Sequence, residues 1–398
     1  MNRPEPGAAP RVVFFVGHPP MPIDTGDDQW RQPLPLDRAY FDEGGTHHTQ
    51  AAVTYGDYFT AVVDFLTRDR MAAGHRAIGR LQGEAATGDT IEEIRIHLVK
   101  HGACYHPAMA TLATGGVDIP MVLNVALSRE GRDIIAIETD CLSQLGRRVA
   151  DHFLPEVYHF GAGSTGSGVE LPMFAGEWFA GYHEFHLTHC TPNGANRHVV
   201  WDPDRGPWLL NEIQSADLYR QAMLILTSYF DPYTLSAILQ WHHAAGDFVV
   251  KATPDGIDLR LITIRRYAPL LSLDPQDPIT LETLLETLAV FFLRTSLWMR
   301  IDRIDGVGDL IWAGEAALAP IWMGFGQGLE KMAARHDLPP AFVAAVKQYL
   351  ASHTRDDLID LGLEILTRYP QSLPEASLIK CHLKRHAEQI HALMRRTA

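Results

Sequence analysis

Between Ile91 and Ser128 the apolar residues fall on every second position. Ile94, Ile96 and Leu98 alternate with charged or polar side chains, and the segments Met109 to Thr114 and Met121 to Leu127 follow on either side of Gly115-Gly116. Alternation with a period of two puts one set of side chains on one face of a strand, so this stretch predicts a three-stranded antiparallel meander. From Tyr55 to Leu81 the spacing changes. Phe59, Val62, Val63, Phe65, Leu66, Met71, Ala72, Ile78 and Leu81 recur at helical intervals, which predicts one or two helices ended by the glycines near 83–88. Gly131 to Arg148 predicts another helix, with Ile134, Ile137, Cys141, Leu142 and Leu145 on one face. Two more strands are expected at Glu156 to Phe160 and Leu171 to Trp178, separated by GAGSTGSG.

The second half is punctuated differently. Helices are expected near Leu209 to Tyr229 and Pro232 to His242, followed by an abrupt turn at Gly246-Asp247. Short strands at Phe248 to Val250 and Ile257 to Ile264 flank a Pro254-Asp255-Gly256 turn, which predicts a hairpin. Beyond Pro278 the pattern is helical to the end, with breaks at Pro320, Pro339-Pro340 and Pro374, and the apolar run Ala289 to Met299 is the expected core helix. The first fifty residues are rich in Pro, Gly and Asp, with VVFFV as the strand-like piece, and read as an extended arm.

At 398 residues the chain exceeds one ordinary core, which predicts two lobes or domains. The net charge of -14 and the absence of a dense basic run before the last 20 residues disfavour nucleic-acid binding. The basic stretch Lys380 to Arg396 carries helically spaced apolar residues and reads as a solvated helix face. Cys104, Cys141, Cys190 and Cys381 form no CxxC pair, so neither a metal knuckle nor a disulfide framework is expected. Val12 to Val16 is too short for a signal segment and no stretch approaches a membrane span, which makes cytoplasmic the expected location.

Three strands, a helix and two strands, then a hinge-like EWFAGYHEFHL, two helices and a Gly-Asp turn ahead of a hairpin: this layout resembles the protein-kinase-like superfamily. The branch is that of the aminoglycoside phosphotransferases and lipopolysaccharide-sugar kinases. The resemblance implies an α+β fold of two lobes, with an N-terminal arm and helical extension over 1–90, a small antiparallel-sheet lobe over 91–180, and a hinge and helical large lobe over 181–398. It implies ATP and Mg2+ as cofactors, a cleft between the lobes as the binding place, and a small-molecule or sugar hydroxyl as acceptor. In that scheme Asp247 orients the attacking hydroxyl, and His242 and His243, just ahead of it, bind substrate or shuttle a proton. Glu138 supports the small lobe, Asn124 stands where the nucleotide-contacting lysine belongs, and Lys100 is the candidate replacement. The chain departs from the family where metal is held. Lys251 or Ala252 occupies the asparagine place, and the next strand ends in Leu261-Ile262-Thr263-Ile264-Arg265, with no carboxylate. Two readings therefore stand: an ATP-dependent phosphotransferase, or a pseudokinase that keeps the fold as a ligand-binding or protein-interaction module.

Other candidates compete for chemistry. Lys100 to Pro107 takes the place of a phosphate-covering loop, but has a single glycine and bulky Tyr105 and His106. Gly161 to Gly166 matches GxGxxG by letter, yet a strand follows it rather than a helix, so it reads as a hairpin loop. His183, His186 and His189 with Cys190 form a metal-like cluster if they lie on a helix, which would support a metalloenzyme; Gly181 and Pro192-Asn193-Gly194 point instead to a hinge and loop. His47-His48 reads as a loop pair, because a metal site needs further ligands.

Overall fold

The structure, a computed structural model, describes residues 9–35, 53–83, 90–102, 104–189, 196–241, 246–271, 274, 278–370 and 372–397. The chain is α+β and divides into two units, 1–146 with 155–180 and 147–154 with 181–398.

The first unit is built on a mixed sheet of seven strands: β1 (Arg11–Val16), β2 (Met21–Ile23), β3 (Ile91–Leu98), β4 (Tyr105–Thr114), β5 (Val117–Ala126), β6 (Val157–Ser164) and β7 (Glu170–Glu177). Their spatial order is β2-β1-β3-β4-β5-β7-β6. The predicted meander is β3 to β5, and the alternation of its sequence becomes an alternation of burial, with Ile94, Ile96, Leu112, Met121 and Leu123 turned into the core. Two helices accompany the sheet, α1 (Tyr55–Gln82) and α2 (Arg129–Leu145). Tyr58, Phe59, Val62 and Phe65 of α1 complete the core.

VVFFV, expected as part of an arm, is an internal strand. It pairs antiparallel with β2 and parallel with β3. Parallel neighbours need a crossover connection, and α1 lies within it. The aromatic content explains why the segment is drawn in: the Phe14 ring lies 5.2 Å from Trp30 and 4.8 Å from Phe59. A capping box at Thr54 and Asp57 starts α1, and left-handed backbone at Asp69, Arg70 and Met71 (φ 50, 56 and 61°) splits it into two pieces.

The second unit begins with a three-stranded antiparallel sheet of β8 (Phe185–His189), β9 (Asn196–Val200) and β10 (Trp208–Leu209), followed by α3 (Glu212–Ser228) and β11 (Ser236–Ile238). A hairpin of β12 (Phe248–Thr253) and β13 (Gly256–Leu261) comes next, and β14 (Tyr267–Pro269) returns to pair with β11. Then come α4 (Leu281–Trp298), a small ribbon of β15 (Ile301–Arg303) and β16 (Leu310–Trp312), and helices α5 (Leu318–Arg335), α6 (Phe342–Ser352), α7 (Arg355–Thr367) and α8 (Pro374–Thr397). The apolar run Ala289 to Met299 is the buried body of α4. Gly324 and Gly328 let α5 lie against α3, since an added Cβ at either would meet the α3 backbone, at Arg220 O and Leu224 O respectively.

The helix expected over Pro232 to His242 is replaced by the strand β11. Asp231 Oδ1 accepts hydrogen bonds from the backbone N–H of Tyr233 and Thr234, an Asx turn that competes with helix formation, and Leu235 follows with φ of 56°.

Candidate functional site

Asp247 stands directly before β12. Gly246 precedes it with φ of +71°, and a side chain there would meet the carboxylate of Glu184. The backbone carbonyl of Asp247 accepts from Ile262 N–H at 2.8 Å, which ties the turn to the end of the hairpin. The side chain is 1% exposed. Its Oδ1 accepts from Thr263 Oγ1 at 3.0 Å and from Arg265 Nη2 at 2.6 Å, while Oδ2 accepts from Arg265 Nη1 at 2.7 Å. Two parallel N–H bonds from one guanidinium form the fork geometry in which arginine binds carboxylates most strongly. The two non-carboxylate residues noted after the hairpin, Thr263 and Arg265, are thus the partners of Asp247. His242 and His243 lie outside the described residues.

In the first unit, Glu138 of α2 is 1% exposed and accepts from the Tyr105 hydroxyl at 2.6 Å. Asn124 of β5 is paired with Pro107 and Phe174, on the sheet face that also carries Tyr105 and Ala126. Lys100 is exposed in the turn between β3 and β4. That turn is tied by Val99 N–H to Pro107 O and Gly102 N–H to Tyr105 O. Tyr105 and His106 are turned inward, 8% and 2% exposed; His106 O accepts from Tyr58 Oη and His106 Nε2 lies 3.0 Å from Pro35 O. Gly131, at the start of α2, packs so close to Cys104 O that an added Cβ would collide with it.

The three histidines after the hinge-like segment lie on extended backbone rather than a helix, so they do not share one face. His183 forms a bridge with Val250, its Nε2 3.6 Å from Asp202 Oδ2. Buried His186 places Nδ1 3.3 Å from Asp302 Oδ1, and His189 places Nδ1 2.8 Å from Asn196 Oδ1. Cys190 and His47-His48 lie outside the described residues. Among the described residues no group of three His, Cys, Asp or Glu side chains is placed to share a metal ion. GAGSTGSG spans the end of β6 and the loop to β7, where Thr165 Oγ1 accepts from Val169 N–H. No described helix is long and apolar enough to cross a membrane.

Sequence reasoning missed that Arg265 acts as a counter-ion. The signal was its spacing of 18 residues from Asp247, which a hairpin of two six-residue strands folds back to contact. It also missed the buried contact between Arg300 and His386, 86 residues apart along the chain. No known family model matches this chain, and no curated protein matches it.

Proposed function

We propose that this chain is a kinase-like module that binds a ligand without transferring phosphate. The observation that carries the reading is the Arg265 guanidinium lying across both oxygens of buried Asp247. The kinase-like part is supported by the succession of three strands, a helix and two strands in one sheet, and by a Gly-Asp turn leading into the β12–β13 hairpin. In the spacing H-R-D-x-x-x-x-N, the asparagine and a later aspartate hold the metal ions. Contact of Asp247 with Thr263 just past the hairpin, as between two groups sharing one ion, favours moving Asp247 from the hydroxyl-orienting place to the asparagine place, which the sequence reading gave to Lys251 or Ala252. His242, five residues earlier, then stands at the first place.

An arginine in such a position supplies the positive charge that a divalent cation would bring, and occupies the carboxylate that would bind it. The phosphotransferase form of the reading, with ATP, Mg2+ and a small-molecule or sugar hydroxyl, requires Arg265 to leave Asp247 before metal enters.

Calorimetric titration of ATP with and without Mg2+, followed by an assay for phosphate release and transfer, tests this. Expected are a nucleotide response indifferent to Mg2+ and no turnover. Turnover that needs Mg2+ and disappears in Asp247→Ala would falsify the proposal and restore the phosphotransferase.

A further inference from the structure

Arg300 follows α4 and is 3% exposed, yet among the described residues no carboxylate lies within ion-pair distance of it. Its guanidinium is held by neutral groups. Nε and Nη2 donate to Ala313 O at 3.0 and 2.7 Å, and Nη1 donates to His386 Nδ1 at 3.2 Å and lies 3.5 Å from Gln389 Oε1. Its plane sits 4.7 Å from the centre of the Trp312 ring. Because an arginine only donates, His386 must accept at Nδ1 and carry its proton on Nε2. Nε2 then donates to Ser296 Oγ at 3.0 Å, whose own proton goes to Leu293 O at 2.9 Å. The chain of donors fixes the guanidinium in one orientation. Burial, and then the charge of Arg300, push the His386 imidazole down to about 3, so it stays neutral and accepts from the guanidinium.

Beside this guanidinium is a cavity of about 230 Å3, lined by Arg300, Trp312, Glu315, His382, Arg385 and Gln389 among others. That volume far exceeds the roughly 10–15 Å3 needed for one water. Trp312 and His382 stack at 4.9 Å to form a rigid wall, and Arg385 adds a second cation at the exposed side. The one acid in the lining, Glu315, accepts from Gln389 Nε2 at 2.6 Å, and its charge acts on Arg300 without an ion-pair contact.

We propose that this cavity is a binding site for the oxyanion group, carboxylate or phosphate, of a small molecule, with Arg300 as its principal partner. A buried cation with no carboxylate in direct contact is stabilised by an anion that reaches it, and a guanidinium held in place by its neighbours loses little freedom on binding. The site is independent of the kinase-like reading.

The test is calorimetric titration of the full chain with inorganic phosphate and with malonate, against sodium chloride at matched ionic strength. One saturable site for either anion is expected, and which anion binds tells a phosphoryl from a carboxylate ligand. Arg300→Lys keeps the charge but loses the fork and is expected to weaken binding about tenfold or more. Arg385→Gln lies on the exposed face of α8 and is expected to weaken it about threefold. Circular dichroism establishes which variants are folded, and if Arg300→Lys is not, Arg385→Gln decides. Absence of saturable binding by the wild type, or unchanged affinity in every folded variant, overturns the proposal.

Discussion

Asp247 and Arg300 are both buried charges in the second unit, and they are neutralised in opposite ways. Asp247 has a full counter-ion, with Arg265 across both of its oxygens. Arg300 has carbonyl, imidazole and indole dipoles around it, and a cavity at its side. The difference separates a closed site from an open one. A carboxylate already paired with a guanidinium gains little from a cation in solution, whereas a guanidinium held by neutral groups keeps most of its affinity for an anion.

Breaking the closed pair should have the largest effect. Arg265→Met removes from buried Asp247 the guanidinium that lies across both of its oxygens, and urea denaturation is expected to show a loss of roughly 3–5 kcal/mol. Replacing both members together, as Asp247→Leu with Arg265→Met, should recover most of that loss. Equal destabilisation by the double and single variants would mean that the pair is not an isolated charge couple. A third buried acid, Glu138 in the first unit, accepts from the Tyr105 hydroxyl. Tyr105→Phe is expected to cost about 1.5–3 kcal/mol by the same measurement, the range for a hydrogen bond to a charged group. A loss close to zero would show that the phenol does not hold the glutamate in solution.

The open site should reveal itself through pH. The His386 imidazole titrates near 3 when folded, below its ordinary value of about 6.5 in the unfolded chain. Between those values the unfolded state binds the extra proton, so stability rises with pH across this window. The contribution is fully present above about pH 6.5 and is lost as pH falls toward 3, at up to about 1.4 kcal/mol per pH unit. His386→Gln removes the titrating group, so urea midpoints followed from pH 7 to pH 4 should fall less steeply than in wild type. Identical slopes would mean that His386 is accessible to protons in the native state. Added phosphate should flatten neither curve at neutral pH but raise both if the cavity takes an anion.

From α1 to β7 the strands and helices of the first unit were legible because each carries its own period. β3 to β5 alternate, and Ser128 accepts from Gly131 N–H as the cap of α2, but the face of α2 was misread: Ile135, Glu138 and Thr139 are buried with Leu142 and Leu145, while Ile137 is 54% exposed. The β12–β13 hairpin was legible from its Pro-Asp-Gly turn. Legibility failed where a local and a distant interaction compete. The segment after Asp231 has helical apolar spacing, but the Asx turn and pairing with β14 make β11 of it. The first strand looked like an arm because nothing nearby in sequence is its partner; β3 is about 80 residues away.

Beyond Pro278, read as helical to the end, the sequence missed β15 and β16; alone, it determined the α+β class, the succession of elements from α1 to β7, and the presence of an aspartate on a sharp turn before a hairpin. These depend on periodicity and turn chemistry, which act over a few residues. Only the tertiary structure decided what each charged side chain faces. Arg265 reaches Asp247 through a hairpin, and Arg300 reaches His386 across 86 residues, between α4 and α8. A buried charge is neutralised by whatever the fold brings within a few ångströms, and that distance has no fixed relation to separation along the chain.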